Sequence, residues 1–367
     1  MKPFSAVYFI KKNKLRAVLL VFMIVITFSI YLGGLYISNV ESIFEKELEK
    51  CKKQTFIMPY WKDNEYEDFN KTVEMLKEED DIILLRQGII NNIYTTSIMN
   101  FNMGVQAYSF RNAKDFETYC EFYGINIKEQ LEGKELGNGS LIFSSLQADN
   151  RGMKLGDIFS SDNPDEYVDQ EYELDALTDE DGYSVYCISD TDNLVYIILQ
   201  GNMSNEEYKN LKDRLKTENK VNVFDYDSYK NNVDNQLETF SYIYFFVILL
   251  MSVVMAITIN AAFVGMYQHR QGEFALYRAI GISKMKLKLK IVSEVLIIDV
   301  IGIVIGLCIT ITGVYLLNHL YLIERGLRLF YFNEMSLAGM IISNMIIFIP
   351  IVFLQGRRLM KTDICDY

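Results

Sequence analysis

Two carboxylates inside an apolar run, Glu294 and Asp299, are the residues of this 367-residue chain most open to chemistry. An ionisable group in a membrane span costs at least ~2.5 kcal/mol, so it needs a partner or a role. Glu294 follows Lys290 by four positions, a spacing at which the two can pair while the lysine snorkels. Asp299 lies five residues deeper and has no cation within one turn. A proton path would require more polar residues in the spans, so a structural role is the plainer reading for both. Elsewhere the chemistry is sparse. Histidine occurs twice, at His269 and His319, and no His/Cys/carboxylate cluster with metal-ligand spacing is present. A phosphate-binding loop needs Gly-Lys-Ser/Thr, but the one Gly-Lys pair, Gly133-Lys134, is followed by Glu135. The acidic run ending Asp179-Glu180-Asp181-Gly182 lacks the alternating oxygen ligands and distal Glu of a calcium loop. The expectation is a chain with no catalytic residues, no metal and no cofactor of its own. If ATP drives it, ATP and Mg²⁺ belong to a partner polypeptide.

The elements that hold these residues follow from hydropathy. Crossing a bilayer takes roughly 20 apolar residues of helix, and four windows qualify: 17–40, 240–266, 291–317 and 335–354. Backbone groups in lipid must be paired internally, so these are read as four transmembrane helices. Flanking positive charge sets their direction. Residues 1–16 carry Lys2, Lys11, Lys12, Lys14 and Arg16. The 267–290 connection carries six Lys and Arg against Glu273 alone, and the tail 355–367 carries Arg357, Arg358 and Lys361. These three segments are expected to be cytoplasmic, leaving 41–239 and 318–334 outside. The first window exceeds a signal-peptide core and lacks a small-x-small cleavage site, so it is read as a retained anchor.

Charge is segregated along the chain. Residues 41–239 contain 20 Lys and Arg and 41 Asp and Glu, a net −21, whereas the remainder is +9. Such an exterior disfavours nucleic acid or anionic lipid as an external ligand and suits a cationic one, although solubility alone also explains it. Cys51, Cys120 and Cys187 fall outside, Cys308 in a span and Cys365 in the tail, with no disulfide framework evident. The richness in Lys, Ile, Asn and Tyr points to a bacterial source.

The 41–239 insert reads as an α+β domain. Its entry from Glu41 continues helically out of the first span, and 226–238 runs helically into the second. These flanks are expected to form a stalk or to lie on a globular body. The segment 205–216, with Tyr208, Leu211 and Leu215 at helical spacing, is read the same way. Short β-type runs occur at 81–86, 104–110 and 140–144. Residues 183–188 and 194–199 flank a turn at 189–193 and are expected to form a hairpin.

Residues 267–290 form a basic amphipathic segment. Read as a helix from Gly272, it places Phe274, Tyr277 and Gly281 on one side and Leu276 with Ile280 on a neighbouring stripe. Such a surface fits a partner's groove, with Arg278 and Lys284 at the rim. The lysines at 284, 286, 288 and 290 also suit anionic lipid. In the third span, Gly302 and Gly306 form a Gly-x-x-x-Gly pair, continued by Gly313, which permits close helix packing; Gly33-Gly34 in the first span is a candidate counterpart.

The stretch Glu273-Phe274-Ala275-Leu276-Tyr277-Arg278-Ala279-Ile280-Gly281 resembles the loop signature of the FtsX-like, MacB-type permeases of ABC transporters. So does the order of one span, a large external insert, three spans and a short basic tail. The tail Gly356–Ile364 departs from the family's closing Asp-Pro, since Ile364 replaces the proline. The resemblance implies that Glu273, Phe274, Leu276, Tyr277, Arg278, Ala279, Ile280 and Gly281 dock on a separate ABC ATPase. It also implies a dimer with a second permease chain. The function implied is mechanotransmission, in which ATPase movement drives the external domain. Roles in the family include peptide export, lipoprotein extraction, peptide-antibiotic resistance and control of cell-wall hydrolases. The leading expectation is therefore a permease subunit handling a peptide or other amphiphile. The alternatives are an ATPase-linked regulator of an external enzyme, or a receptor with no ATPase.

Overall fold

The computed structural model describes residues 14–60, 66–98, 102–160, 166–218, 221–268 and 270–361. His269, Asp162 at the start of the acidic run that ends at Asp181, Ile364 and Cys365 lie outside the described residues. The chain separates into two compact units. One comprises residues 1–39, 238–317 and 329–367, the other 40–237 and 318–328.

The first unit is helical. Its elements are the first part of α1 (Lys14–Cys51), most of α6 (Tyr226–Gln268), the short α7 (Gln271–Ala279), α8 (Lys284–Leu317) and α9 (Glu334–Lys361). Among the described residues, three helices are long and apolar enough to cross a membrane, within Tyr226–Gly265, Lys284–Arg325 and Glu334–Leu354. The apolar stretch of α1 described here is Val21–Ile37, shorter than the other three. The chain is thus a multi-pass membrane protein. Its helices bury one stripe each, with Met23, Ile26, Ile30, Phe263, Ile291, Val295, Ile298 and Ile347 in a common core. Close packing comes from small residues. A Cβ on Gly302 would stand 2.7 Å from Met23 Cβ, and one on Gly306 would stand 3.0 Å from Thr27 Cβ. The surface they meet on α1 is Met23–Thr27, not Gly33-Gly34. Gly34 instead faces Ser336 of α9, where a Cβ would lie 2.6 Å from Ser336 Cα. A Cβ on Gly313 would meet no other helix within 4 Å.

The second unit is α+β. A four-stranded antiparallel sheet runs β11-β1-β10-β2, from β1 (Gln54–Pro59), β2 (Ile83–Arg86), β10 (Tyr196–Leu199) and β11 (Val221–Phe224). A larger mixed sheet runs β3-β4-β9-β6-β8-β5, from β3 (Asn91–Thr96), β4 (Asn102–Phe110), β5 (Ile127–Gln130), β6 (Ser140–Ser144), β8 (Tyr172–Thr178) and β9 (Val185–Ile188); the short β7 (Ile158–Phe159) pairs with β8. Four helices complete the unit: α2 (Tyr66–Lys77), α3 (Ala113–Tyr123), α4 (Ser145–Arg151) and α5 (Asn205–Glu218).

The expected hairpin is corrected here. Residues 185–188 and 196–199 are strands, but they do not pair. β9 lies between β4 and β6, while β10 lies between β1 and β2. All of β9 is buried, and so is nearly all of β10. Strands apolar on both faces belong inside sheets rather than at a free hairpin. The connection is pinned at Asp192, which pairs with Arg86 at 3.2 Å and Arg111 at 2.6 Å. Residues 205–218 are likewise part of the globular body. Tyr208 of α5 donates to Ile198 O at 3.0 Å, and Leu211 and Leu215 join a core with Ile57 and Ile198.

The C-terminal end of α1 is gripped by tyrosines. Lys50 Nζ pairs with Glu180 at 2.6 Å, donates to Tyr186 OH at 2.6 Å and to Ser184 Oγ at 3.2 Å, and lies 5.1 Å from the Tyr186 ring centroid. Tyr108 OH donates to Glu47. Burial pushes the Glu47 carboxyl up to about 7; the Lys50 charge opposes this and the Glu180 charge reinforces it. Between pH 4.5 and about 7 the folded carboxyl keeps a proton that the unfolded chain releases. Stability of this region therefore falls as pH rises through that window. Hydrogen exchange of β4 and β9 in the intact chain should quicken from pH 5 to pH 7.5 beyond the intrinsic rate, and Glu47→Gln should remove that excess. An equal excess in Glu47→Gln would refute the assignment. Cys51, Cys120 and Cys187 are buried, free thiols.

Candidate functional site: the α7 helix and its anchor

Helix α7 is short because its sequence ends it. Gly281 has φ +93, in the left-handed region that closes helices. Ile282 N donates back to Tyr277 O at 3.0 Å and Gly281 N to Arg278 O at 2.9 Å. A Cβ on Gly281 would meet nothing within 4 Å, so glycine is required here by backbone conformation and not by crowding. Beyond it, Ser283 starts α8, its Oγ accepting from Lys286 N at 3.4 Å.

One end of α7 is fixed by a four-charge cluster. Arg270 Nη1 donates to Glu294 Oε2 at 2.7 Å, and its Nε donates to Glu273 Oε2 at 2.9 Å. Lys290 Nζ stands 3.7 Å from Glu273 Oε1 and 4.5 Å from the Tyr277 ring centroid. Arg270, Glu294 and Lys290 are all buried, at 5%, 1% and 4% exposure. Two cations and two anions compensate each other, which makes that burial tolerable. Burial pushes the Glu273 carboxyl upward, but hydrogen bonds and charge from Arg270, with Lys290 adding, outweigh it and hold Glu273 below the usual carboxylate range. The Arg270 guanidinium also covers the Phe274 ring at 4.8 Å. Glu294 thus takes Arg270 as its close partner, and Lys290 reaches Glu273. The local Lys290–Glu294 spacing lies inside the same cluster, and the turn before α7 adds Arg270 as a bidentate partner of Glu294.

The two stripes of α7 are buried unequally. Phe274 is buried against Phe263 and Tyr267, and Tyr277 is partly buried. Leu276 and Ile280 are exposed, at 60% and 70%, followed by Met285 at 63% and Leu289 at 57%. The inward stripe is an anchor to the protein's own bundle, and the outward stripe is the presented one. Arg278 is partly buried and Ala279 exposed beside it. Asp299 is not part of this cluster. It stands five positions beyond Glu294, about 140° further round the helix, and its Oδ1 has no hydrogen-bond partner among the described residues. Among the described residues no group of His, Cys, Asp and Glu could hold a metal ion. Arg270, the centre of the cluster, carried a sequence signal in its i,i+3 spacing to Glu273, but nothing local linked it to Glu294.

Comparison with known proteins bears on this region. Residues 244–364 match the family model of the FtsX-like permease C-terminal domain, a stretch that includes α7, α8 and the whole of the anchoring cluster. No curated protein matches the chain. Among solved structures, the extracellular domain of the noncanonic ABC-type transporter YknZ from Gram-positive bacteria is 14% identical, covering 47% of this chain and 99% of that one at a TM-score of 0.27. That score is below the level that marks a shared fold.

Proposed function

We propose, for a chain whose residues 244–364 match the FtsX-like permease C-terminal domain, that α7 is the docking helix of an ABC permease subunit. The family implies an ABC ATPase as partner; the docking face and its use are our reading. The observation that carries it is the division of α7 into two faces. Phe274 and Arg270 fasten it to the bundle, while Leu276 and Ile280 are exposed. An apolar stripe on a rigidly held helix at a membrane surface is a groove-filling element. A rigid seat is also what force transmission requires, because a loosely held helix would yield before it moved α8.

In this reading α1 is a fourth span, and residues 1–16, 267–290 and 355–367 face the cytoplasm. The permease acts as a dimer and transmits ATPase movement to the α+β domain, with ATP and Mg²⁺ held by the ATPase. The net charge of −21 outside suits a cationic peptide or amphiphile as the molecule handled. A cleft of about 460 Å³ lined by Glu49, Asp179 and Asp181, with Lys53 and the Lys50–Glu180 pair also in its wall, is a place for its basic groups. Export, extrusion or peptide-antibiotic resistance are the roles this fits, in a bacterial cell membrane.

The test is sidedness. With native cysteines replaced, a single cysteine at Ser283 in intact cells should resist a membrane-impermeant maleimide, and one at Asp190 should react. Reaction at Ser283 from outside would place α7 on the wrong side for any ATPase and end the proposal.

A further inference from the structure

The chain passes between its two units four times, not twice. Two passages are the helices α1 and α6; the others bracket residues 318–328, which belong to the α+β unit although α8 and α9 belong to the helical one. This segment is not an ordinary short loop. α8 runs without interruption for 34 residues, about 50 Å, and continues as a π turn (Asn318–Leu322) and a 3-10 turn (Ile323–Arg325). The turns are packed, with Asn318, Leu322 and Leu327 buried at 1%, 2% and 6%.

At its tip Gly326 meets α4 backbone to backbone. A Cβ on Gly326 would lie 2.2 Å from Leu146 O and 2.8 Å from Asn150 N, and its φ of +59 independently favours glycine. Gly326 O accepts from Tyr183 OH at 2.5 Å. The receiving helix is bolted to the large sheet. Buried Gln147 donates to Tyr94 O at 2.9 Å and accepts from Thr95 Oγ1 at 2.6 Å. Asn150 accepts from Thr96 N at 2.8 Å and donates to Thr96 O at 2.9 Å. These bonds satisfy β3 backbone groups and leave α4 little freedom to slide.

The other end of α8 carries Lys290 and Glu294, the groups that hold α7. We infer that residues 318–328 are the output end of α8: a displacement made at the Arg270–Glu294 end is delivered through the Gly326–α4 contact to β3 and the large sheet. This route is additional to α1 and α6. It takes the source of the displacement from the proposed role of α7, but the contact and its transmission are testable without any ATPase.

The experiment uses the full chain in lipid nanodiscs, read by hydrogen exchange of residues 145–151 and 94–96. Arg270→Leu serves as the perturbation at the far end of α8. With the native loop it should speed exchange in 145–151 by about three-fold or more. In a Gly326→Val background, where the contact cannot form, Arg270→Leu should change 145–151 by less than about 1.5-fold. Tyr183→Phe, which deletes one hydroxyl and strains nothing, is the second background and should reduce the transmitted change at least about two-fold. The inference is overturned if Arg270→Leu leaves 145–151 unchanged with the native loop, or changes it equally in all three backgrounds. Failure of ATPase docking would refute the role of α7 and leave these readings standing.

Discussion

Replacing Arg270 by leucine should destabilise the seat of α7 by about 3–5 kcal/mol, the usual cost of removing one partner from a buried ion pair. Glu294 would lose its 2.7 Å donor while remaining 1% exposed, and Glu273 would lose two donors. Hydrogen exchange of residues 271–279 should rise by about two to four orders of magnitude, as that energy implies. The control is the double variant Arg270→Leu/Glu294→Leu. Replacing both charges with apolar groups of similar size removes the uncompensated carboxylate, so most of the lost protection should return. Arg270→Lys should fall between, because lysine cannot serve two carboxylates in the plane of one fork. If Arg270→Leu exchanges like the wild type, the ion cluster is decoration and α7 is held by Phe274 alone.

Much of this architecture was legible in the sequence, and its misreadings have physical causes. The long apolar helices and the α+β character of the insert follow from periodicity and charge segregation. Strands at 83–86, 102–110 and 140–144 fall on the runs of β-type residues. The hairpin failed because a five-residue connection reads the same whether it turns back on one sheet or crosses to another. What distinguishes them is burial of both strand faces, and that is a tertiary property. At α7 the wheel correctly separated two stripes, but amphipathicity cannot say which stripe the protein keeps for itself. Phe274 goes inward because Phe263, Tyr267 and the Arg270 guanidinium make a ring-lined seat for it. Residues 318–334 looked like a short external connection, since neither Gly326 nor its neighbours show a pattern. Their role depends on α4, about 175 positions earlier in the chain. The Glu47–Lys50–Tyr186 cluster was hidden for the same reason, its members being gathered from a helix and a strand far apart in sequence.

The same division of faces yields the largest functional effect expected. Leu276 and Ile280 contribute nothing to the buried core of the chain. Charging them should therefore spare folding while abolishing attachment of a partner. Burying two such side chains in a groove is worth roughly 3–5 kcal/mol, so losing both should weaken binding by more than a hundred-fold. Arg278→Glu should weaken it by a smaller factor, as expected for a charge at the rim of an interface. Replacing Lys286 and Lys288 by glutamine separates partner docking from adhesion to anionic lipid, and should alter vesicle binding more than partner binding. The decisive measurement is co-purification of the ABC ATPase with the full-length chain from its native membrane, comparing wild type with Leu276→Glu/Ile280→Glu at matched membrane abundance. The account predicts that the wild type retains the ATPase and the double variant loses it, with exchange protection of α8 unchanged. Retention of the ATPase by the double variant at wild-type level would contradict it.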